Sequence, residues 1–217
     1  MVAEGAFATG ALDSYCTVQD VLALLSAYDV SDWGGQAALS DRISQLLDPT
    51  RRAVDTAAGR DFFYHEADEI ALDGSGTRVL CLTEAGVYPP ADLTGVTING
   101  TALAANQWRY YPSANSLKLI PGASVQSFVA GVQNIVIALD WGYELPPGDI
   151  AIAQAKLVAA QLISELSAEA QAVQALSIGD YTVRYNMEGR YGGEIVRLLS
   201  SARETIHKYR AMQMASV

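Results

Sequence analysis

From Thr17 onward, apolar residues recur at helical spacing: Val18, Val21, Leu22 and Leu25 predict a helix that reaches about Tyr28. Thr17 and Asp20 stand three residues apart, the spacing at which a hydroxyl and a carboxylate cap each other's backbone N–H at a helix start. Trp33-Gly34-Gly35-Gln36 reads as a loop. Ser40 is the next expected N-cap, with Asp41 in the first turn where the helix dipole favours an acid. Leu39, Ile43, Leu46, Leu47, Val54, Ala57 and Ala58 mark the buried side of this second helix. Asp48-Pro49 interrupts it. Proline removes a backbone donor, so the pattern predicts a kink, or a fresh start with Asp48 as cap and Pro49 in the first turn. Gly59 fits a left-handed C-terminal cap.

The period then changes. From about Phe62 to Trp141 the chain reads as strands. Ile70-Ala71-Leu72 leads into a turn at Asp73-Gly74-Ser75-Gly76, followed by Arg78-Val79-Leu80-Cys81-Leu82. Val96-Thr97-Ile98 and Ala102-Leu103 flank Asn99-Gly100, a strong signal for a two-residue type I′ hairpin. Trp108-Arg109-Tyr110-Tyr111 and Leu117-Lys118-Leu119-Ile120 flank Pro112-Ser113-Ala114-Asn115. Asn134 to Trp141 is the last and most apolar strand. Five to eight antiparallel strands, arranged as a sandwich or a barrel, follow from this pattern.

After Pro146-Pro147-Gly148, Asp149 is expected to cap an alanine-rich helix from Ile150 to about Gln174, packed through Leu157, Leu162, Ile163 and Leu166. Ser177 to Tyr185 alternates and reads as an extended or hairpin segment. After Gly192-Gly193, Ile195, Leu198, Leu199, Ala202, Ile206 and Tyr209 predict a last helix. The expected architecture is α+β: a four-helix core, 14–61 and 144–212, split by an inserted antiparallel β module at 62–143, with a flexible arm at 1–13 and a flexible tail at 213–217. Neither early helix can bury its stripe alone, so both must pack on the two late helices across the insertion.

Composition narrows the function. The chain has 217 residues, 50% of them apolar and 18% charged, which is a globular composition and excludes disorder of the whole chain. A formal charge of −10 argues against charge-driven DNA binding. The charge is uneven. Residues 1–50 hold Arg42 against seven acids, whereas residues 190–217 hold Arg190, Arg197, Arg203, Lys208 and Arg210 against Glu194 and Glu204. Opposite-signed ends suit contact between subunits; the alternative is that both are simply solvated. No bilayer span is expected, because Gln154, Lys156, Gln161, Glu165 and Glu169 interrupt the most apolar stretch. No targeting segment is expected either, since no basic region precedes the small apolar residues of Met1 to Ala11. Cys16 and Cys81 lack a CxxC partner and read as reduced thiols.

No catalytic, cofactor or metal site is expected. His65, Glu66, Asp68 and Glu69 could bind a metal or act as paired carboxylates, but a strand sends alternate residues to opposite faces, and edge strands carry charge to deter pairing. His207, near Arg203 and Lys208, complements the dipole of the last helix. Gly74-Ser75-Gly76-Thr77 lacks the Gly-Lys-Ser/Thr ending of a phosphate loop. Trp108, Tyr110 and Tyr111 could stack on bases or sugars, or pack within a sheet.

The order of several fragments resembles the head–tail connector, or adaptor, family of tailed bacteriophages and gene transfer agents. These are Tyr15-Cys16-Thr17-Val18-Gln19-Asp20-Val21, Ala58-Gly59-Arg60-Asp61-Phe62, Asp140-Trp141-Gly142-Tyr143 before Pro146-Pro147, and Ala155-Lys156-Leu157-Val158-Ala159. Ile178-Gly179-Asp180-Tyr181-Thr182-Val183-Arg184-Tyr185 and Ala202 to Arg210 complete the set. The resemblance covers about residues 14–212. It implies a structural, non-enzymatic virion protein at the head–tail interface, made in the host cytoplasm. It implies a ring of twelve copies, about −120 in formal charge at −10 each, docked under a portal protein. Such a ring extends a channel through which DNA passes without sequence-specific binding, and it meets a neck- or tail-completion protein below. The portal or subunit contact then falls on Arg197, Arg203, His207, Lys208, Tyr209, Arg210, Met212 and Met214. The acidic N-terminal third and basic C-terminal helix are one complementary pair for ring closure. The alternatives are a carbohydrate- or surface-binding β module on a helical stalk, and a hydrolase using the cluster from Glu66 to Glu69.

Overall fold

The computed structural model describes residues 14–28, 34–82, 90–166, 173–186 and 191–210; the expected arm at 1–13 and tail at 213–217 lie outside them. The element order is α1 (Val18–Leu25), α2 (Gln36–Ala58), β1 (His65–Gly74), β2 (Val79–Cys81), β3 (Pro90–Ile98), β4 (Thr101–Ala102), β5 (Trp108–Tyr111), β6 (Ser116–Leu119), β7 (Gly131–Trp141), α3 (Gly148–Leu166), β8 (Val173–Ile178), β9 (Tyr181–Asn186) and α4 (Gly192–Lys208). The fold class is α+β. The chain divides into two compact units, Met1–Val54 with Gly148–Ile206 and Asp55–Pro147 with His207–Val217, so each boundary falls inside α2 and α4 rather than in a loop there.

The first unit is built around α3. Ile150, Leu157, Val158, Leu162 and Ile163 are fully buried, and alanines at 153, 155, 159 and 160 are buried between them. A helix apolar on so many sides belongs at a centre. Val21 and Leu25 of α1, Leu39, Ile43 and Leu46 of α2, and Ile195, Leu198, Leu199 and Ala202 of α4 join it in the core. Gln154 is buried among them and fully bonded. Its Oε1 accepts from Tyr15 N at 2.8 Å and Cys16 N at 3.1 Å, while its Nε2 donates to Leu47 O at 2.7 Å, Ser14 Oγ at 2.8 Å and Thr50 Oγ1 at 3.2 Å. One side chain thus joins the start of α1 and the middle of α2 to α3. The β8–β9 hairpin docks on α3 through Ser164, whose hydroxyl donates to Arg184 O.

Four helix limits differ from the sequence pattern. The reciprocal Thr17–Asp20 cap is present, but α1 ends at Leu25, short of Tyr28. α2 begins at Gln36, so Ser40 is not its cap. α2 also runs through Pro49 without restarting. Pro49 withdraws a donor from Gln45 O alone, and in the same turn Thr50 Oγ1 donates to the carbonyls of Leu46 and Leu47 and Gln154 Nε2 to Leu47 O. Asp48, expected as a cap, instead pairs with Arg51 at 3.4 Å and Arg52 at 2.9 Å one turn on. α3 is described as far as Leu166, and Val173 and Gln174, expected at its end, instead pair in β8 with β9, because the hairpin turn at Gly179-Asp180 draws these residues into a strand.

The second unit carries two antiparallel sheets, one in the order β1-β7-β3-β4 and the other β2-β6-β5. They share one core: Ile135, Ile137 and Leu139 of β7 and Val96 and Ile98 of β3 meet Leu80, Leu117 and Leu119 of the smaller sheet. Two separately bonded sheets over one core make a sandwich, not a closed barrel. Asn99 and Gly100, at φ 48° and 77°, form the expected two-residue hairpin between β3 and β4. Cys16 is buried and Cys81 is exposed on β2. Among the described residues no helix is long and apolar enough to cross a membrane.

Candidate partner interface

At about 100° per residue, α4 separates its side chains cleanly. Ile195, Leu198, Leu199, Ala202 and Ile206 fall on one face and are buried. Arg197, His207 and Lys208 fall on the far side and Arg203 at its flank; all four are exposed, as are Glu204 among them and Arg210 just beyond the helix. Both helix termini carry the charge that the dipole prefers, with Glu194 in the first turn and His207 and Lys208 in the last.

The start of α4 is held in place. Tyr28 donates to Glu194 Oε1 at 2.6 Å, its ring meets Tyr191 edge-on at 5.8 Å, and Arg197 Nε donates to Glu194 Oε2 at 2.9 Å. Hydrogen bonds from Arg197 and Tyr28 hold the Glu194 carboxyl at about 2. Further along, Lys156 of α3 donates to Ser201 Oγ at 2.8 Å. The end of α4 is anchored differently. Tyr209 meets Phe62 edge-on at 5.5 Å, and the Arg60 guanidinium lies over both rings, 5.2 Å from Phe62 and 5.7 Å from Tyr209. Tyr209 is therefore partly a packing residue, whereas Arg203, His207, Lys208 and Arg210 are exposed. Met212 and Met214 lie outside the described residues. The spacing of the bases was legible in the sequence. The Tyr28–Glu194 and Phe62–Tyr209 contacts were not; their only signal was the presence of Ala58-Gly59-Arg60-Asp61-Phe62 among the fragments of the resemblance.

The acidic cluster at the start of β1 does not converge. His65 Nε2 lies 3.0 Å from the Asp61 carboxylate, and its ring stacks on Trp141 at 4.0 Å. Asp68 accepts from Trp141 Nε1 at 2.9 Å, while Glu66 and Glu69 are exposed. His65 and Asp68 are thus engaged around one indole. Among the described residues no group of three or more His, Cys, Asp or Glu side chains is placed to hold a metal ion. Of the strand aromatics, Trp108 and Tyr110 pack against the sandwich core, and exposed Tyr111 lies beneath Lys118 Nζ at 4.8 Å.

No protein-family model and no curated protein matches the sequence. Among solved structures, the chain is similar to one from the neck of an empty gene transfer agent (GTA) particle computed with C6 symmetry. The TM-score is 0.52 and the identity 15%, and the match covers 100% of this chain and 99% of the other. It is also similar, at a TM-score of 0.48 and 16% identity over the same shares, to a chain from the neck of a native GTA particle computed with C12 symmetry. The likeness at 15% identity is one of fold, and it extends over the whole length of both chains.

Proposed function

We propose that the protein is a structural component of a phage-like virion: a head–tail adaptor that forms a homo-oligomeric ring of twelve copies, docks on the portal, extends the DNA channel and joins the capsid to the neck or tail. The observation that carries this reading is the end-to-end fold likeness to a chain in the neck of a symmetric GTA particle. The exposed basic face of α4, in a chain of formal charge −10, supports assigning the portal contact to Arg197, Arg203, His207, Lys208 and Arg210, continued by the tail with Met212 and Met214. An acidic lining suits a channel that must pass DNA without holding it, because attraction to phosphate is strong and salt-dependent.

The test is cryo-electron microscopy of the purified chain with and without portal rings. Rings stacked coaxially on portals are expected. Deleting residues 211–217 should leave the circular dichroism unchanged and weaken portal attachment, and Arg203→Glu with Lys208→Glu should make the remaining attachment less sensitive to salt. A chain that neither forms rings nor joins portals sinks the reading.

A further inference from the structure

The β sandwich is electrically polarised. His65 aside, every charged residue in the strands of the four-stranded sheet is acidic: Glu66, Asp68, Glu69, Asp73, Asp92 and Asp140. Both charged residues in the strands of the three-stranded sheet, Arg109 and Lys118, are basic, and Arg78 precedes β2 directly. The two sheets share one core, so their outer faces point in opposite directions. Alternation places Glu69, Asp73, Asp92, Asp140, Arg109 and Lys118 outward, whereas Asp68 shares the side of Ile70 and Leu72 and accepts from Trp141 Nε1. On β6, Leu117 and Leu119 are buried and Lys118 between them is exposed, paired across the ladders with Val79 and Arg109. On β1, Ile70 and Leu72 pack inward, which turns Glu69 and Ala71 outward beside Ala138 and Val136 of β7. Asp92 and Asp140 pair at the end of the same face.

Each outer face also carries small or apolar contact area. On the basic side Val79 is 41% exposed and Tyr111 38% exposed, flanking Lys118. On the acidic side Ala71, Val136 and Ala138 share the outer side with Glu69 and Asp140. Two sheet faces of opposite sign, on opposite sides of one sandwich, are what a head-to-tail contact requires. Such an interface joins two different patches and closes into a ring if the rotation allows. Charges of this kind select the partner face and its register, and the apolar area supplies the adhesion.

We infer that the occupant of the basic outer face of β2-β6-β5 is a second copy of this chain, which presents its acidic β1-β7-β3 face, and that this pairing repeated around the ring is the subunit contact. The inference rests on the ring reading above. It puts the ring contact in the β module and leaves the bases of α4 to the portal.

Two reversed chains test it. One carries Arg109→Glu and Lys118→Glu, the other Glu69→Lys and Asp92→Lys. Alone, each brings like charges together across every contact and should self-associate roughly a hundredfold more weakly. Mixed in equal amounts, they should recover rings of alternating copies, which an even-numbered ring accommodates, and a chain carrying all four substitutions should recover rings by itself. Recovery cannot come from misfolded chains. The milder pair Arg109→Gln and Lys118→Gln should weaken association about tenfold with an unchanged melting temperature. If wild type forms rings and the reversed chains form them equally well, the inference falls and the ring reading stands. Folded reversed chains that fail to recover on mixing also overturn it. So does loss of duplex DNA binding by the Arg109/Lys118 variant with rings intact, which gives the basic face to nucleic acid. If wild type forms no ring, alone or on portals, both readings fall.

Discussion

Gln154 shows how much one buried polar side chain can hold. Leucine at this position would match its size and strand the N–H groups of Tyr15 and Cys16 and weaken the bonding of Leu47 O, all now satisfied by the amide. Each stranded group costs about 1–3 kcal/mol, so Gln154→Leu should lose about 3 kcal/mol in urea unfolding. A loss below about 1 kcal/mol would mean that other groups replace the amide. Glu194 acts through its charge. Its carboxyl is held at about 2 in the fold against 4.5 as the ordinary value, because Arg197 and Tyr28 bond the ionised form. A depressed pKa stabilises the fold fully above the unfolded value, and that stability is lost as pH falls from about 4.5 towards 2. After solvent screening the contribution is about 1 kcal/mol. The urea midpoint of Glu194→Gln should therefore fall less between pH 6 and pH 3 than that of wild type.

Elements differ in how far the chain spells them out. The hairpins at Asn99-Gly100, at Asn115 and at Gly179-Asp180 were legible because each turn needs left-handed backbone that only a few residue types tolerate, and those residues stand there. The buried face of α4 was legible because periodicity fixes it, and β7 was legible as a strand by its apolar run. What α2 does at Pro49 was not, since part of the bonding in that turn comes from Gln154, a hundred residues away. The strand at Val173 and Gln174 was not either, because alanine-rich sequence favours helix until a hairpin claims it. The pairing of β1 with β7 depends on residues some seventy positions apart and left no local mark. The splitting of His65, Glu66, Asp68 and Glu69 did follow from strand alternation, although the stack of His65 on Trp141 did not. The segment after β7 offers a sharper test. Gly142 has φ +94°, and a Cβ there would lie 1.8 Å from Phe63 O, so Gly142→Ala should cost about 3 kcal/mol or more in thermal or urea unfolding. Gly100→Ala, at φ +77° in open space, should cost about 1 kcal/mol.

At the scale of the molecule, the sandwich carries its acids and bases on separate sheets. The two cysteines differ with consequence in this setting. Burial pushes the Cys16 thiol up to about 12, which keeps it protonated and out of reach. Cys81 is exposed on β2, one strand from Lys118, on the basic face. A thiol reagent at neutral pH should therefore modify one cysteine per native chain quickly and the second only on unfolding. The unaltered protein thus comes with a single attachment point for a fluorophore, on the sheet assigned to its neighbour. A dye there should report each act of assembly by its change in emission, and ring formation should slow the labelling reaction itself; equal labelling rates before and after assembly would mean that this face stays open to water.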